Sequence, residues 1–387
     1  MKFILGFLAA SLVLVSIGMV GAYAEPPGFA RDFTYKQADG AVDILKGKTV
    51  IARYVYKDTP RPYIYPILSP AGIAVTRNYP MKNVEGEPAD HPHHRSMWTT
   101  FGDVNGMDFW GESDKSGKIV QTKIDFAPIT VGPYWSIHTN DDWVKPDGKR
   151  MCEDERYTAF YSCQYGTLIV SMIKITASNG PVKLGDTKEG FAAIRLTPSL
   201  ALKGGTGHIL NSEGDKDDKA WGKRAKWVDY TGEINAKAVG VTMFDTHTNF
   251  GYPTYWHARD YALLAANPMG GKAFTGDAKN ESPLSIKLGD SVEFRYITLI
   301  HDGSIDAKTL DALANEVAGS PKKPYTPPTE EEKKKQSVGQ STNGQPQPPE
   351  KIVNKTRKPK QPKPGVKRVE PKGKPAPAQP PAPSEDK

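Results

Sequence analysis

Apolar and polar residues alternate along much of this chain with the period of a β-strand. Ile119 to Ile124 and Leu168 to Ile175 alternate in this way, which sends successive side chains to opposite faces of a sheet. Thr49 to Tyr56 is β-branched and aromatic with no helical period, a strand composition. Leu284 to Leu288 alternates, meets Gly289-Asp290, and resumes as Val292 to Ile300; the pattern predicts a hairpin. One stretch differs. Ile305 to Val317 places Leu310, Leu313 and Val317 on one helical face, with Gly319 as a stop. Strands separated by Gly, Pro, Asn and Asp turns predict an all-β fold, a large antiparallel β-sandwich with one C-terminal helix. No internal repeat is visible.

Composition divides the chain. It carries 51 basic and 44 acidic side chains, a net charge of +7. Residues 320–387 alone hold 16 basic and 7 acidic residues and 16 of the 33 prolines, leaving 35 basic and 37 acidic residues before them. The excess positive charge therefore belongs to the tail, and a basic nucleic-acid-binding core is excluded. Such a Pro/Lys-rich stretch cannot bury enough apolar surface to offset its ordering entropy, so it is expected to be disordered. Its cationic character suits contact with an anionic wall or membrane surface. Residues 25–319 are expected to form a single domain.

Met1-Lys2 is followed by an uncharged run from Phe3 to Ala24, which closes Ala22-Tyr23-Ala24 before Glu25. Small residues in an A-x-A ending mark residues 1–24 as a secretory signal peptide and the protein as exported, periplasmic or extracellular, with no transmembrane segment once it is cleaved. The alternative is a retained anchor, since the run is long enough to span a bilayer. Export would allow Cys152 and Cys163 to pair. However, Tyr157 to Tyr161 reads as a strand between them. Extended over the 11 residues from Cys152 to Cys163, the chain spans roughly 36 Å, against about 4.4–6.8 Å between disulfide Cα atoms, so the thiols are expected to be free.

The densest chemistry is His91-Pro92-His93-His94-Arg95-Ser96, three of the eight histidines in four positions. Pro92 keeps it out of a central strand. Such a cluster suits acid–base or oxyanion work on a polar substrate. As an alternative, His91 and His93 with the distant His257 can be read as ligands of a divalent metal; otherwise no cofactor is assumed. Asp103, Asp108 and Glu112 follow around the tight turn Asn105-Gly106. Asp186 and Glu189 stand at the entrance to the strand Phe191 to Leu196, Glu213 precedes the aromatic and basic run Trp221 to Tyr230, and His257 lies between Trp256 and Arg259. Flat rings beside charged groups suit a hydroxyl-rich ligand. Phosphate-binding loops, nucleophile elbows and H-E-x-x-H are absent.

Several of these motifs together resemble the DUF6807 family of exported bacterial proteins, which carries the label methane oxygenase PmoA. The resemblance rests on residues 91–96, 102–110, 186–190, 211–214 and 221–224, and on the run from Pro253 through His257 to Pro268. Where that family commonly reads Asp-His-Pro-x-Asn, this chain reads Asp245-Thr246-His247-Thr248-Asn249. The segment 284–301 is similar to the terminal hairpin of galactose-mutarotase-like supersandwiches, which bind sugars on a concave sheet.

The expectation is an exported protein that binds or processes a carbohydrate. His93, His94, Arg95, Glu189, Glu213 and His257 are the candidate catalytic groups, and Asp186, Trp221, Arg224, Trp227, Asn249 and Trp256 the candidate ligand contacts. A metal-dependent oxygenase or hydrolase and a non-catalytic envelope-binding module are the alternatives. If residues 1–24 are a cleaved signal, mass spectrometry of the exported protein finds Glu25 at its N-terminus; a product retaining Met1 means an anchor.

Overall fold

A computed structural model describes residue 30, residues 32–129 and residues 134–317, all within one compact unit, Met1–Tyr325. The expected signal peptide and disordered tail lie outside the described residues. Two eight-stranded antiparallel sheets account for most of the fold. The first runs, in spatial order, Phe33–Ala38, Ala41–Lys46, Thr49–Val55, Tyr63–Ile67, Met97–Phe101, Gly190–Arg195, Leu263–Asn267, Tyr255–Trp256. The second runs His208–Asn211, Trp227–Ile234, Lys237–Asp245, Ser291–Asp302, Gly166–Thr176, Arg150–Cys163, Tyr134–Val144, Lys118–Ile129. Val182–Leu184 and Leu284–Ile286 form a separate two-stranded sheet.

Alternation explains why the sheets stack. Val42, Ile44, Met97, Phe101 and Ile194 of the first share one buried apolar cluster with Ile119, Ile137, Trp143, Ile169 and Phe294 of the second. Burying both apolar faces against each other is the stable arrangement for two such sheets. Part of the outer face of the second sheet is covered by the helix Ala307–Val317. Leu310, Leu313, Ala314 and Val317 form its apolar stripe against Trp227, Phe244, Ile297 and Leu299. Asp306 caps that helix by accepting from the Thr309 amide, and the Trp227 indole donates to Asp311. Among the described residues no helix is long and apolar enough to cross a membrane.

Two local expectations are resolved. The hairpin over 284–300 does not form. Leu284–Ile286 pairs with Val182–Leu184, while Ser291–Asp302 has both edges occupied, by Lys237–Asp245 and Gly166–Thr176. The Gly289-Asp290 turn exists, but strand partners are chosen by the whole sheet rather than by proximity in sequence. Cys152 and Cys163 lie on one strand, Arg150–Cys163, and both are free thiols.

The inter-sheet core also holds charge. Arg156 is buried against Asp154 and Asp141, and Asp154 also accepts from the Trp143 indole. Burial pushes Asp141 up to about 7 although Arg156 opposes it. Removing one partner from a buried cluster leaves the other charges uncompensated. Arg156→Leu should therefore lower the unfolding free energy in urea by about 3–5 kcal/mol; a change near zero would mean the cluster contributes nothing to stability.

Candidate functional site

The outer face of the first sheet is where chemistry collects. Directly paired residues share a face. Tyr63 pairs with Trp98, Trp98 with Ala193, and Ala193 with Ala265. Ala265 in turn exchanges backbone hydrogen bonds with His257. One row thus runs Tyr63–Trp98–Ala193–Ala265–His257, with small side chains in its middle and large ones at its ends. Trp98, Ala193 and Ala265 join Trp110 and Leu263 in an apolar cluster on this face, and the segments around residues 91–96, 108–111, 188–189 and 259–261 gather above it.

Guanidinium groups hold those segments in place. Arg61 is fully buried; it donates to the carbonyls of His93, Trp110 and Gly111 and lies 3.3 Å from Glu112. Burial pulls it down to about 10, with Glu112 opposing, so it stays charged at neutral pH. Arg95 makes a two-pronged pair with Glu112, at 2.8 and 2.7 Å. Arg77 donates to the His91 carbonyl and to Asp90. Asp90 also accepts from Arg195 and contacts His91 Nδ1 at 2.7 Å. Burial acts to raise Asp90, but Arg195, His91 and Arg77 outweigh it and hold its carboxyl below the usual range. Between these tethers the loop turns through left-handed backbone at His91 and Ser96, φ 45° and 56°, a conformation kept only where the surroundings enforce it.

Three histidines are held neutral by this setting. The His94 ring stacks on Trp98 and His91, and its Nδ1 lies 3.0 Å from Arg195 Nη1. A guanidinium can only donate, so Nδ1 accepts and the His94 proton sits on Nε2. Burial, then His93 and Arg195, drive its pKa far down. His93 is lowered to about 4 by burial and by Arg61. His257 is 2% exposed, and its Nδ1 lies 3.0 Å from the Lys188 carbonyl oxygen. A carbonyl can only accept, so Nδ1 carries the proton and Nε2 is a bare acceptor. That Nε2 is buried without a hydrogen-bond partner among the described residues, and burial with Arg259 and Lys188 lowers the ring to about 3.

The cleft between these segments has a volume of about 500 Å³ and is lined by His91, His93, His94, Asp108, Trp110, Lys188, Glu189, Arg259 and Tyr261. Tyr261 stacks on His91 at 5.0 Å. Lys188 pairs with Glu189 at 2.8 Å, and Asp108 accepts from the Trp110 and Gly111 amides and the Ser116 hydroxyl. The Trp110 indole N–H is buried and unpartnered among the described residues.

The candidate residues divide between this cleft and the framework. His93, His94 and Glu189 line it, Arg95 stands behind it, and His257 adjoins it through Lys188. Trp221 reaches it through Arg259, whose guanidinium lies 6.0 Å from the indole ring. The others are not brought there. Asp186 accepts from the Lys272, Ala273 and Ser282 amides, fastening the short helix Gly271–Thr275. Glu213 accepts from Ser212. Arg224 donates to the carbonyls of Gly251, Tyr252 and Pro253. Asn249 bonds Asp245 and both backbone polar groups of Arg295, the Trp256 indole donates to Ala225, and Trp227 lies under the helix Ala307–Val317. Among the described residues no group of three or more His, Cys, Asp or Glu side chains could hold a metal ion, and the expected alternative set His91, His93 and His257 does not form one.

Tyr261 and Lys188 were not singled out in the sequence. Tyr261 lies four residues after His257, and its partner His91 is 170 positions away, so no local pattern marks it. Lys188 was visible only as a charged-turn residue beside Glu189.

The profile of a family of unknown function, DUF6807, matches residues 41–315. No curated protein matches the sequence. Among solved structures, the Slr1438 protein from Synechocystis sp. PCC 6803 is 10% identical with a TM-score of 0.30, over 74% of this chain and 100% of that one. A polysaccharide lyase is 12% identical with a TM-score of 0.26, over 74% of this chain and 35% of that one. A TPR-domain containing protein from Parabacteroides distasonis ATCC 8503 is 11% identical with a TM-score of 0.23, over 70% and 48%. Likenesses this weak carry no argument about what the cleft does.

The depressed histidines couple the site to pH. Each favours the neutral ring in the folded state, so its contribution to stability is complete above the ordinary 6.5 and is lost as pH falls toward about 4 for His93 and about 3 for His257. Asp141 and Asp245, both pushed up to about 7, act in the opposite sense over that range. The readout is therefore a comparison of proteins. Between pH 7.5 and 5 the melting temperature of His257→Gln should fall by less than that of the parent, or rise by more; identical pH profiles would mean that His257 titrates normally.

Proposed function

The chain belongs to the DUF6807 family, whose function is unknown, and from that premise we propose that it is an exported protein that binds a carbohydrate in the cleft above the first sheet and processes it there. One observation carries the reading: ring faces, donors and acceptors converge in a single opening. Tyr261 and Trp110 put aromatic rings in its lining, where the apolar side of a sugar can pack. Arg259 and Lys188 donate, Glu189 and Asp108 accept, and hydroxyl groups need both.

The two buried histidines fit that chemistry in complementary ways. His94, with its proton on Nε2, is a fixed hydrogen-bond donor toward a developing negative charge. His257, which adjoins the cleft rather than lining it, is kept neutral by its surroundings, and its bare, buried Nε2 can accept a proton only from a group that reaches it from the cleft. Arg95 acts from behind, by keeping Glu112 and the loop in register. The export signal expected over residues 1–24 supports a location outside the cytoplasm for this activity.

The test is a panel of poly- and oligosaccharides, followed by thermal shift and by product analysis. A ligand that raises the melting temperature of the parent protein should bind Tyr261→Ala roughly tenfold more weakly, the loss of one stacking ring. His257→Gln should keep binding and lose turnover. Absence of any shift and any turnover across the panel would sink the carbohydrate reading.

A further inference from the structure

Most of the charge around this cleft is already answered by a close partner. Asp90 answers two guanidiniums, those of Arg77 and Arg195. Glu112 likewise answers Arg95 and Arg61. Each of these carboxylates thus faces two cations. Lys188 is matched by Glu189, and Asp108 supplies one more negative charge. With Arg259, the lining of the cleft itself holds two cations and two carboxylates; Lys188 lies 2.8 Å from its carboxylate, whereas Arg259 lies 4.0 Å from the nearest one.

Arg259 is the cation with room to act. Among the described residues its nearest carboxylate is Asp260, at 4.0 Å, and Asp260 is itself paired with Lys203. The guanidinium lies over the rings of Tyr261 and Trp221, at 5.2 and 6.0 Å from their centroids, and its side chain is 36% exposed. Stacking of this kind holds a planar fork still while leaving its N–H edges for an oxyanion. The buried, unpartnered indole N–H of Trp110 on the same cleft offers one further donor.

We infer that the ligand is an acidic saccharide whose anionic group is seated on Arg259, an inference that rests on the carbohydrate reading above. The anion is a uronate carboxylate or a sulfate ester, since both present coplanar or clustered oxygens to a guanidinium. An uncharged sugar would leave the exposed Arg259 guanidinium to water, with no oxyanion to receive its N–H groups.

Isothermal titration of the full chain at low salt decides it, with three oligosaccharides of matched length: an oligogalacturonate, a sulfated galactan oligomer and an uncharged cello-oligosaccharide. At least one acidic ligand should bind roughly tenfold or more tighter than the uncharged one, and lose that advantage as salt rises. Arg259→Gln should bring the acidic ligand down to the uncharged level, with Arg259→Lys between the two; the preferred anion identifies its source. Equal affinity for charged and uncharged sugars would overturn the inference and leave the carbohydrate reading standing. An Arg259→Gln variant that weakens both alike would also overturn it, because the guanidinium would then act through packing. No binding by any of the three overturns both.

Discussion

A guanidinium removed from water needs hydrogen-bond acceptors, and the site is built around supplying them to four such groups. Arg61, Arg77, Arg95 and Arg195 each reach across sequence to a carbonyl, a carboxylate or a ring nitrogen. Satisfying them brings the loop His91–Ser96, the turn at Trp110-Gly111 and the strand Gly190–Arg195 into one arrangement. Two left-handed residues in that loop show that the backbone yields to the arginines. The histidines inherit their chemistry from the same source. Arg195 selects the tautomer of His94, and nearby cations together with burial keep all three rings neutral.

The sheet beneath supplies the geometry. Alternation gives the first sheet two usable faces, one spent on the core and one left outside. On the outer face Trp98 and His257 flank a pair of alanines, so the row is high at its ends and low in its middle. A cleft results where bulky neighbours would have filled the space. The second sheet uses its outer face differently, burying part of it under the helix Ala307–Val317, and this is why Trp227 packs rather than binds.

Much of this was legible in the sequence. The strands around residues 49–56, 119–124 and 168–175 and the C-terminal helix follow from local periodicity, because burial on one face is a local constraint. The histidine cluster at 91–94 and Glu189 stood out because several reactive side chains within a few positions are rarely without consequence. The hairpin over 284–300 misled for the complementary reason: the turn is local, but the pairing is settled by which strand edges remain free. Asp186, Arg224 and Asn249 were conspicuous as polar residues in motif-like runs, and each satisfies backbone groups of a turn or helix end instead. A polar side chain that holds a loop and one that touches a ligand look alike in one dimension.

The sequence by itself determined the class of fold, the separation of an acidic body from a cationic tail, and the presence of a histidine–arginine focus. Those properties depend on composition and short-range pattern. Only the tertiary structure decided that Tyr261 meets His91, that Arg195 meets His94, and that Arg259 shares its nearest carboxylate, Asp260, with Lys203. Each of these depends on contacts between residues far apart in the chain, and register between strands rather than distance along the sequence sets them.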